Sequence, residues 1–187
     1  MFRCIGRVQN CYTRSMKHLL ILNPENVTEE ELAGFAVREA ARAVVVDSSK
    51  HVALLHVTNR GYYKLPGGGL EAGETKEVAL GRECREEIGC DVDIIGELGS
   101  IVEYRKMFSL KQISYCYLAR VQGEKGANDL TDLEMARGFE PQWLSLDEAQ
   151  LAIASGHTDD LEGAAYIVPR DIAILQAAKE YLAMHSL

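Results

Sequence analysis

A layered α/β (α+β) fold is predicted by two features of the sequence: short apolar stretches broken by polar turns, which read as strands, and three or four segments with helix caps or helical apolar spacing. At 187 residues the chain can bury one substantial core, so one domain with terminal additions should carry the function.

Residues 1–37 read as an N-terminal extension with a short strand and a helix. A basic start (Arg3, Arg7, Arg14, Lys17) leads to an apolar run at 19–22, and Thr28 with Glu31 forms a capping box that opens a short helix through Leu32 and Phe35. From residue 38 the pattern turns to strands at 42–46 and 52–57, joined by the polar turn 47–50 as a hairpin. The Pro66-Gly67-Gly68-Gly69 stretch reads as a loop leading into a helix over 75–88, which Gly89 closes as C-cap. Strands follow at 91–105 and 112–121, with a shorter one around Trp143. Ser145 and Glu148 form another capping box for a helix through Ala149 and Ile153. Pro169 suits the first turn of a last helix, whose apolar positions Ile172, Leu175, Ala178 and Leu182 recur at helical spacing. The expected division is 1–37, a main domain over 38–155, and a C-terminal helical segment over 156–187 packed on that domain.

Composition narrows the function. Hydrophobic residues at 47% and charged residues at 26% are ordinary for a globular chain. The apolar runs fall far short of the roughly 20 residues that cross a bilayer, and none of signal-peptide length follows the basic start. The expected location is cytoplasmic, with no membrane partner. Five cysteines, at 4, 11, 84, 90 and 116, contain no CxxC pair, which fits neither a disulfide framework nor a structural zinc site. A net charge of −8, with four basic and no acidic residues in the first 24, makes duplex nucleic acid an unfavourable partner. A polyphosphate remains compatible with an acidic protein when a divalent metal bridges it to carboxylates.

The informative segment runs from Gly68 to Cys90. At 100° per residue, Glu83, Glu86 and Glu87 share one helix face about 100° wide. Beside them Leu80, Cys84 and Ile88 follow i, i+4, i+8 spacing and can anchor the helix on a sheet. Like charges so placed repel by a few tenths of a kcal/mol per i, i+4 pair. A hard divalent cation removes that cost, and magnesium prefers carboxylate oxygens and substrate phosphates as ligands. The glycines just before the helix permit close backbone approach to such a site.

Gly68, Glu74, Arg82, Glu83, Glu86, Glu87 and Gly89 stand in the register of the Nudix box: a glycine, five residues, Glu, seven residues, then Arg-Glu-hydrophobic-x-Glu-Glu-x-Gly-hydrophobic. The chain thus resembles the Nudix hydrolases (MutT-like) over about 38–155. Cys84 and Cys90 fill the two hydrophobic positions, where cysteine serves as a small apolar residue.

The resemblance implies a mixed β-sheet sandwiched between α-helices, a Mg2+ or Mn2+ site, and hydrolysis of a diphosphate bond in a nucleoside diphosphate linked to another group. Carried over by position, Glu83 and Glu87 are metal ligands, Glu86 is a ligand or the general base, and Arg82 holds the glutamates. Glu74 supports the helix start or a second metal, and the Gly67 and Gly68 backbone offers a carbonyl ligand. A further catalytic glutamate ahead of the tryptophan strand is expected; Glu140 is preferred over Glu134. Gly68, Lys64, Tyr63 and Arg105 are the candidate substrate contacts, while Tyr104, Tyr115 and Phe139 are weaker candidates for stacking. His51 and His56 read as structural or solvated.

The stretch 103–110 lacks the proline that marks the ADP-ribose subgroup, which favours a nucleoside triphosphate or modified nucleotide over ADP-ribose and nucleotide sugars. A non-catalytic ligand-sensing or interaction domain is the reading of another class, and the complete glutamate set opposes it. Residues 16–37 are candidates for a homodimer contact or for a flap over the domain's own core.

Overall fold

The structure, a computed structural model, describes residues 16–156 and 158–185. Its sheet is built from β1 (His18–Leu22), β2 (Ala36–Val46), β3 (His51–Val57), β4 (Tyr62–Lys64), β5 (Gly67–Gly69), β6 (Asp91–Arg105), β7 (Leu110–Gln122) and β8 (Phe139–Ser145). The helices are α1 (Glu29–Leu32), α2 (Lys76–Ile88), α3 (Asp132–Arg137), α4 (Leu146–Ser155) and α5 (Val168–His185). The main path through the sheet is β1-β6-β7-β2-β3-β4, with β5 paired to β2 and β8 to β3. Parallel β1–β6 and β2–β7 pairs beside antiparallel β6–β7 and β3–β8 pairs make the sheet mixed.

Side-chain alternation along β2 divides the core. Ala41, Ala43 and Val45 face α2 and pack with Leu80, Cys84 and Ile88, while Val44 faces the other way, toward Ile153 of α4 and Ile174, Leu175 and Ala178 of α5. The sheet is therefore sandwiched between helices, as the resemblance implied. Each fully buried Leu or Ile in these layers stabilises the fold by about 2 kcal/mol.

The capped helices form where their sequences direct. Thr28 and Glu31 make a reciprocal capping box, as do Ser145 and Glu148. Residues 18–22, part of the N-terminal extension, are taken up as a strand of the domain's own sheet, parallel to β6.

Three expectations are corrected. Residues 67–69 form a strand rather than a loop, pairing with Ala40, Ala41 and Arg42; glycine makes this approach feasible, because a Cβ on Gly67 would collide with the Ala41 carbonyl. The turn at 47–50 exists, but β2 and β3 meet only at Val46 and Val52, and each finds its long partner elsewhere, in β7 and β8. The helix after Thr28 stops at Leu32, short of Phe35. Among the strands and α-helices two were not anticipated: β4, only three residues long, and α3, although Thr131 and Glu134 carry the same capping-box signal used elsewhere. Cys4, Cys11 and the basic residues Arg3, Arg7 and Arg14 lie outside the described residues. Cys84, Cys90 and Cys116 are free and buried, as packing residues. No described helix is long and apolar enough to cross a membrane.

Candidate active site

Helix α2 is pinned at both ends. The Thr75 hydroxyl accepts from the Val78 N–H, and Gly89 closes the helix at φ 64°, in the left-handed region that glycine adopts without strain. With Leu80, Cys84 and Ile88 against the sheet, the rotation of the helix is set, and Glu83 and Glu87 turn toward a cleft of about 230 Å³.

Glu87 is almost wholly buried, at 1% exposure. Its Oε1 accepts from Lys64 Nζ at 2.6 Å and its Oε2 from the Gly67 N–H at 2.7 Å. Burial pushes its carboxyl up from the ordinary value, against the opposing pull of Lys64. Glu83 is pushed up to about 6, first by burial and then by the charge of Glu87, with Arg82 working the other way.

Arg82 is the hub. Its Nη1 donates to Glu83 Oε1 and Glu86 Oε2, both at 3.0 Å, and its Nη2 to the Gly69 carbonyl at 3.0 Å. Its Nε and Nη2 grip the Glu74 carboxylate at 2.9 and 3.1 Å, which lowers the Glu74 carboxyl below its ordinary value. Glu74 in turn accepts from the Glu71 N–H at 2.8 Å, so the Arg82 fork ties the turn before the helix to the acidic face. Arg82 and Glu74 thus join the start of the helix to its acidic face.

A third carboxylate arrives from outside the helix. The Gly126 and Asp129 N–H groups donate to the carbonyls of Gly89 and Glu86, docking residues 126–129 on the end of α2. Helix α3 then starts at the Thr131 cap and carries Glu134 inward. Carboxylate oxygens of Glu83, Glu87 and Glu134 lie within 4.8 Å of one another. This donor set fits a hard divalent cation: three carboxylates converge, and Lys64 beside Glu87 and Arg82 beside Glu83 balance only part of their charge.

The remaining candidates are distributed unevenly. Of the two outer glutamates the structure brings Glu134, not Glu140, to the pair: Glu140 is exposed on β8 opposite His56, because its neighbour Phe139 takes the inward position in the alternation. Glu86 is held by Arg82 beside the cluster rather than in it. Tyr63 is likewise turned away from the cleft, stacked on His56 at 4.4 Å, while its neighbours Tyr62 and Lys64 line the cleft. Arg105 and Lys64 both line the cleft. Gly67 gives its N–H to Glu87 and its carbonyl accepts from Arg42 Nη1 at 2.8 Å, leaving one lone pair for any metal. Gly68 lies against Glu83, whose carboxylate would collide with a Cβ there.

The buried polar network behind Arg105, Gln112 and Arg170 of the cleft was not foreseen. Glu103, fully buried, accepts from Arg105 Nη2 at 3.0 Å and from Gln112 Nε2. Asp171 binds Arg170 through Nε at 2.6 Å and also accepts from the Leu65 N–H at 2.8 Å, tying α5 to the strand connection beside the site. Arg42 is pushed down to about 10, first by burial and then by Arg170, and stays cationic at neutral pH. Polar residues at alternate positions of β2, β6 and β7 were the available signal; which face they occupied was not.

Residues 36–164 match the NUDIX domain family, and the chain belongs to that family. A relative from Sulfurovum sp. (strain NBC37-1), named RNA pyrophosphohydrolase, is 42% identical over 69 residues, covering 33% of this chain and 44% of that protein. The chain thus matches less than half the length of that curated relative. A NUDIX hydrolase from Nitrosomonas europaea superposes with a TM-score of 0.58 at 20% identity, covering 80% of this chain and 90% of that one. An Ap4A hydrolase from C. elegans gives 0.52 at 18% identity, covering 79% and 99%. These two structures share the fold.

Proposed function

We propose that the protein is a metal-dependent pyrophosphohydrolase that cleaves a diphosphate bond of a nucleotide, with a nucleoside triphosphate or modified nucleotide as preferred substrate. The convergence of Glu83, Glu87 and Glu134 at a cleft also lined by Arg42, Arg137 and Arg170 carries this reading. Family membership and the relative named RNA pyrophosphohydrolase support it.

The three glutamates would hold magnesium or manganese. When bound, such an ion supplies an acidified water and neutralises charge on phosphate oxygens. Arg82 keeps Glu83 in position, and Lys64 with the Gly67 N–H fixes both oxygens of Glu87. Guanidinium groups of the cleft bind and orient the phosphate chain, the positioning on which phosphoryl transfer chiefly depends. Glu86, within reach of Arg82 at the edge of the cluster, is the candidate proton acceptor for the attacking water. Free, buried Cys84, Cys90 and Cys116 suit a reducing compartment, the cytoplasm.

The test is hydrolysis of a panel of nucleoside triphosphates, nucleotide sugars, ADP-ribose and dinucleotides, with magnesium and with chelator. Metal-dependent turnover greatest on a triphosphate is the expected result. Absence of turnover across the panel by folded protein would overturn the catalytic reading in favour of ligand sensing.

A further inference from the structure

A second chamber adjoins the cleft, with Arg137 at the neck between them. This cavity, about 250 Å³, shares Arg137 and Glu162 with the cleft and has Met107, Phe108, Leu161 and Tyr166 in its walls. We propose that this chamber holds the nucleobase of the substrate, with the phosphate chain running from it past Arg137 to Glu83, Glu87 and Glu134. The proposal rests on the pyrophosphohydrolase reading and adds the place and the chemistry by which the base is bound.

Apolar exposure is the first ground. Met107, Phe108 and Leu161 are 63%, 55% and 43% exposed, yet they come from two distant stretches of chain and meet around one cavity. Single exposed apolar residues are ordinary; a group of them lining a concavity marks a binding surface. Neither cavity alone reaches the ~300 Å³ at which ligand pockets usually begin, so a whole nucleotide needs both.

The cleft itself offers a base little. Its aromatic residues, Tyr62 and Phe139, are buried, and the Phe139 ring is faced by Lys64 Nζ at 4.5 Å. Its cations suit phosphate instead.

Charge divides the two chambers the same way. In the second chamber each carboxylate is already engaged: Asp160 by Arg60 at 3.0 Å, Glu162 by Arg105 at 2.7 Å, and Glu25 by the Tyr166 hydroxyl at 2.6 Å. Arg137, at the neck, makes no ion pair among the described residues. An uncharged planar ring fits such walls, with Phe108 giving an apolar face and Arg137 a planar cation for stacking or for the first phosphate. The wall is also set in advance: residues 106–108 form a tight helical turn closed by Ser109 at φ 46°, and the Lys106 N–H is held by Glu25 at 2.8 Å.

Phe108→Ala and Met107→Ala remove exposed side chains and spare the core. Affinity is measured by equilibrium titration, in magnesium, with methylene-bridged analogues of adenosine and guanosine triphosphate and separately with inorganic tripolyphosphate. Phe108→Ala should weaken the tighter-binding nucleotide analogue roughly tenfold, the scale of a lost stacking face, and leave tripolyphosphate affinity unchanged. Unchanged nucleotide affinity in both variants would overturn the proposal, as would an equal loss for nucleotide and tripolyphosphate or failure of the wild type to bind either analogue. Because the titration reads binding without turnover, its failure is distinct from an inactive hydrolysis panel.

Discussion

Glu83 and Glu87 are two positions of the same chemical type with different structural dependence. Glu87 compensates Lys64, which is itself mostly buried, and accepts the Gly67 N–H. Replacing it by Gln should cost about 3 kcal/mol, because a buried cation loses its partner, and a thermal melt will show this. Glu83→Gln removes repulsion and should leave the metal-free protein as stable or more so. Both should lower turnover by orders of magnitude. The same contrast predicts a pH dependence. With its folded value raised to about 6 from 4.5, Glu83 binds a proton more tightly in the folded than in the unfolded chain. Stability of the metal-free protein should therefore fall as pH rises from about 4.5 to about 6, by on the order of 2 kcal/mol from this group. Urea melts in chelator should show that slope, and Glu83→Gln should lose this contribution; a slope unchanged by the substitution would rule out Glu83 as its origin. Arg82→Lys keeps the charge but not the fork that joins Glu74, Glu83, Glu86 and Gly69, and kcat should drop roughly a hundredfold with little change in melting temperature.

At the scale of elements, β5 and α2 work as one unit. The glycine strand lies so close to β2 that the backbone of Gly67 reaches Glu87 and Gly68 abuts Glu83. The two glycines should respond differently to alanine. Gly67 has φ 126° and faces the backbone of Ala41 and Arg42, so Gly67→Ala forces the main chain to move and should destabilise by several kcal/mol, on the order of backbone strain plus a lost strand pairing. Gly68→Ala meets only the end of the Glu83 side chain, which can swing aside. Its expected signature is a large loss of kcat at nearly unchanged melting temperature, and equal destabilisation by both substitutions would contradict this difference between the two glycines.

Across the whole molecule, α5 belongs to the catalytic unit. It supplies Ile174, Leu175 and Ala178 to one core layer, and its first turns deliver Arg170 to the lining of the cleft with Asp171 bonded to it. A chain ending after residue 155 should not fold cooperatively, since the lost apolar burial alone is worth at least ~5 kcal/mol, comparable with the whole stability of many domains. Circular dichroism during urea titration checks this; a cooperative transition in the truncated chain would show that α5 is dispensable.

The box from Gly68 to Gly89 was legible because its determinants are local. Helical periodicity puts Glu83, Glu86 and Glu87 on one face, the caps mark its ends, and the resemblance of this stretch to the Nudix box implied the metal chemistry and the family fold. That Glu134 rather than Glu140 lies beside Glu83 and Glu87, that Tyr62 rather than Tyr63 lines the cleft, and how Glu103, Gln112, Arg170 and Asp171 come together were decided by tertiary structure. These depend on the register of β8 and β4, where a shift of one residue turns every side chain to the other face, and on a helix whose Asp171 meets Leu65, 106 residues earlier in the chain. Local sequence specifies which face of an element is acidic or apolar; only packing specifies what that face meets.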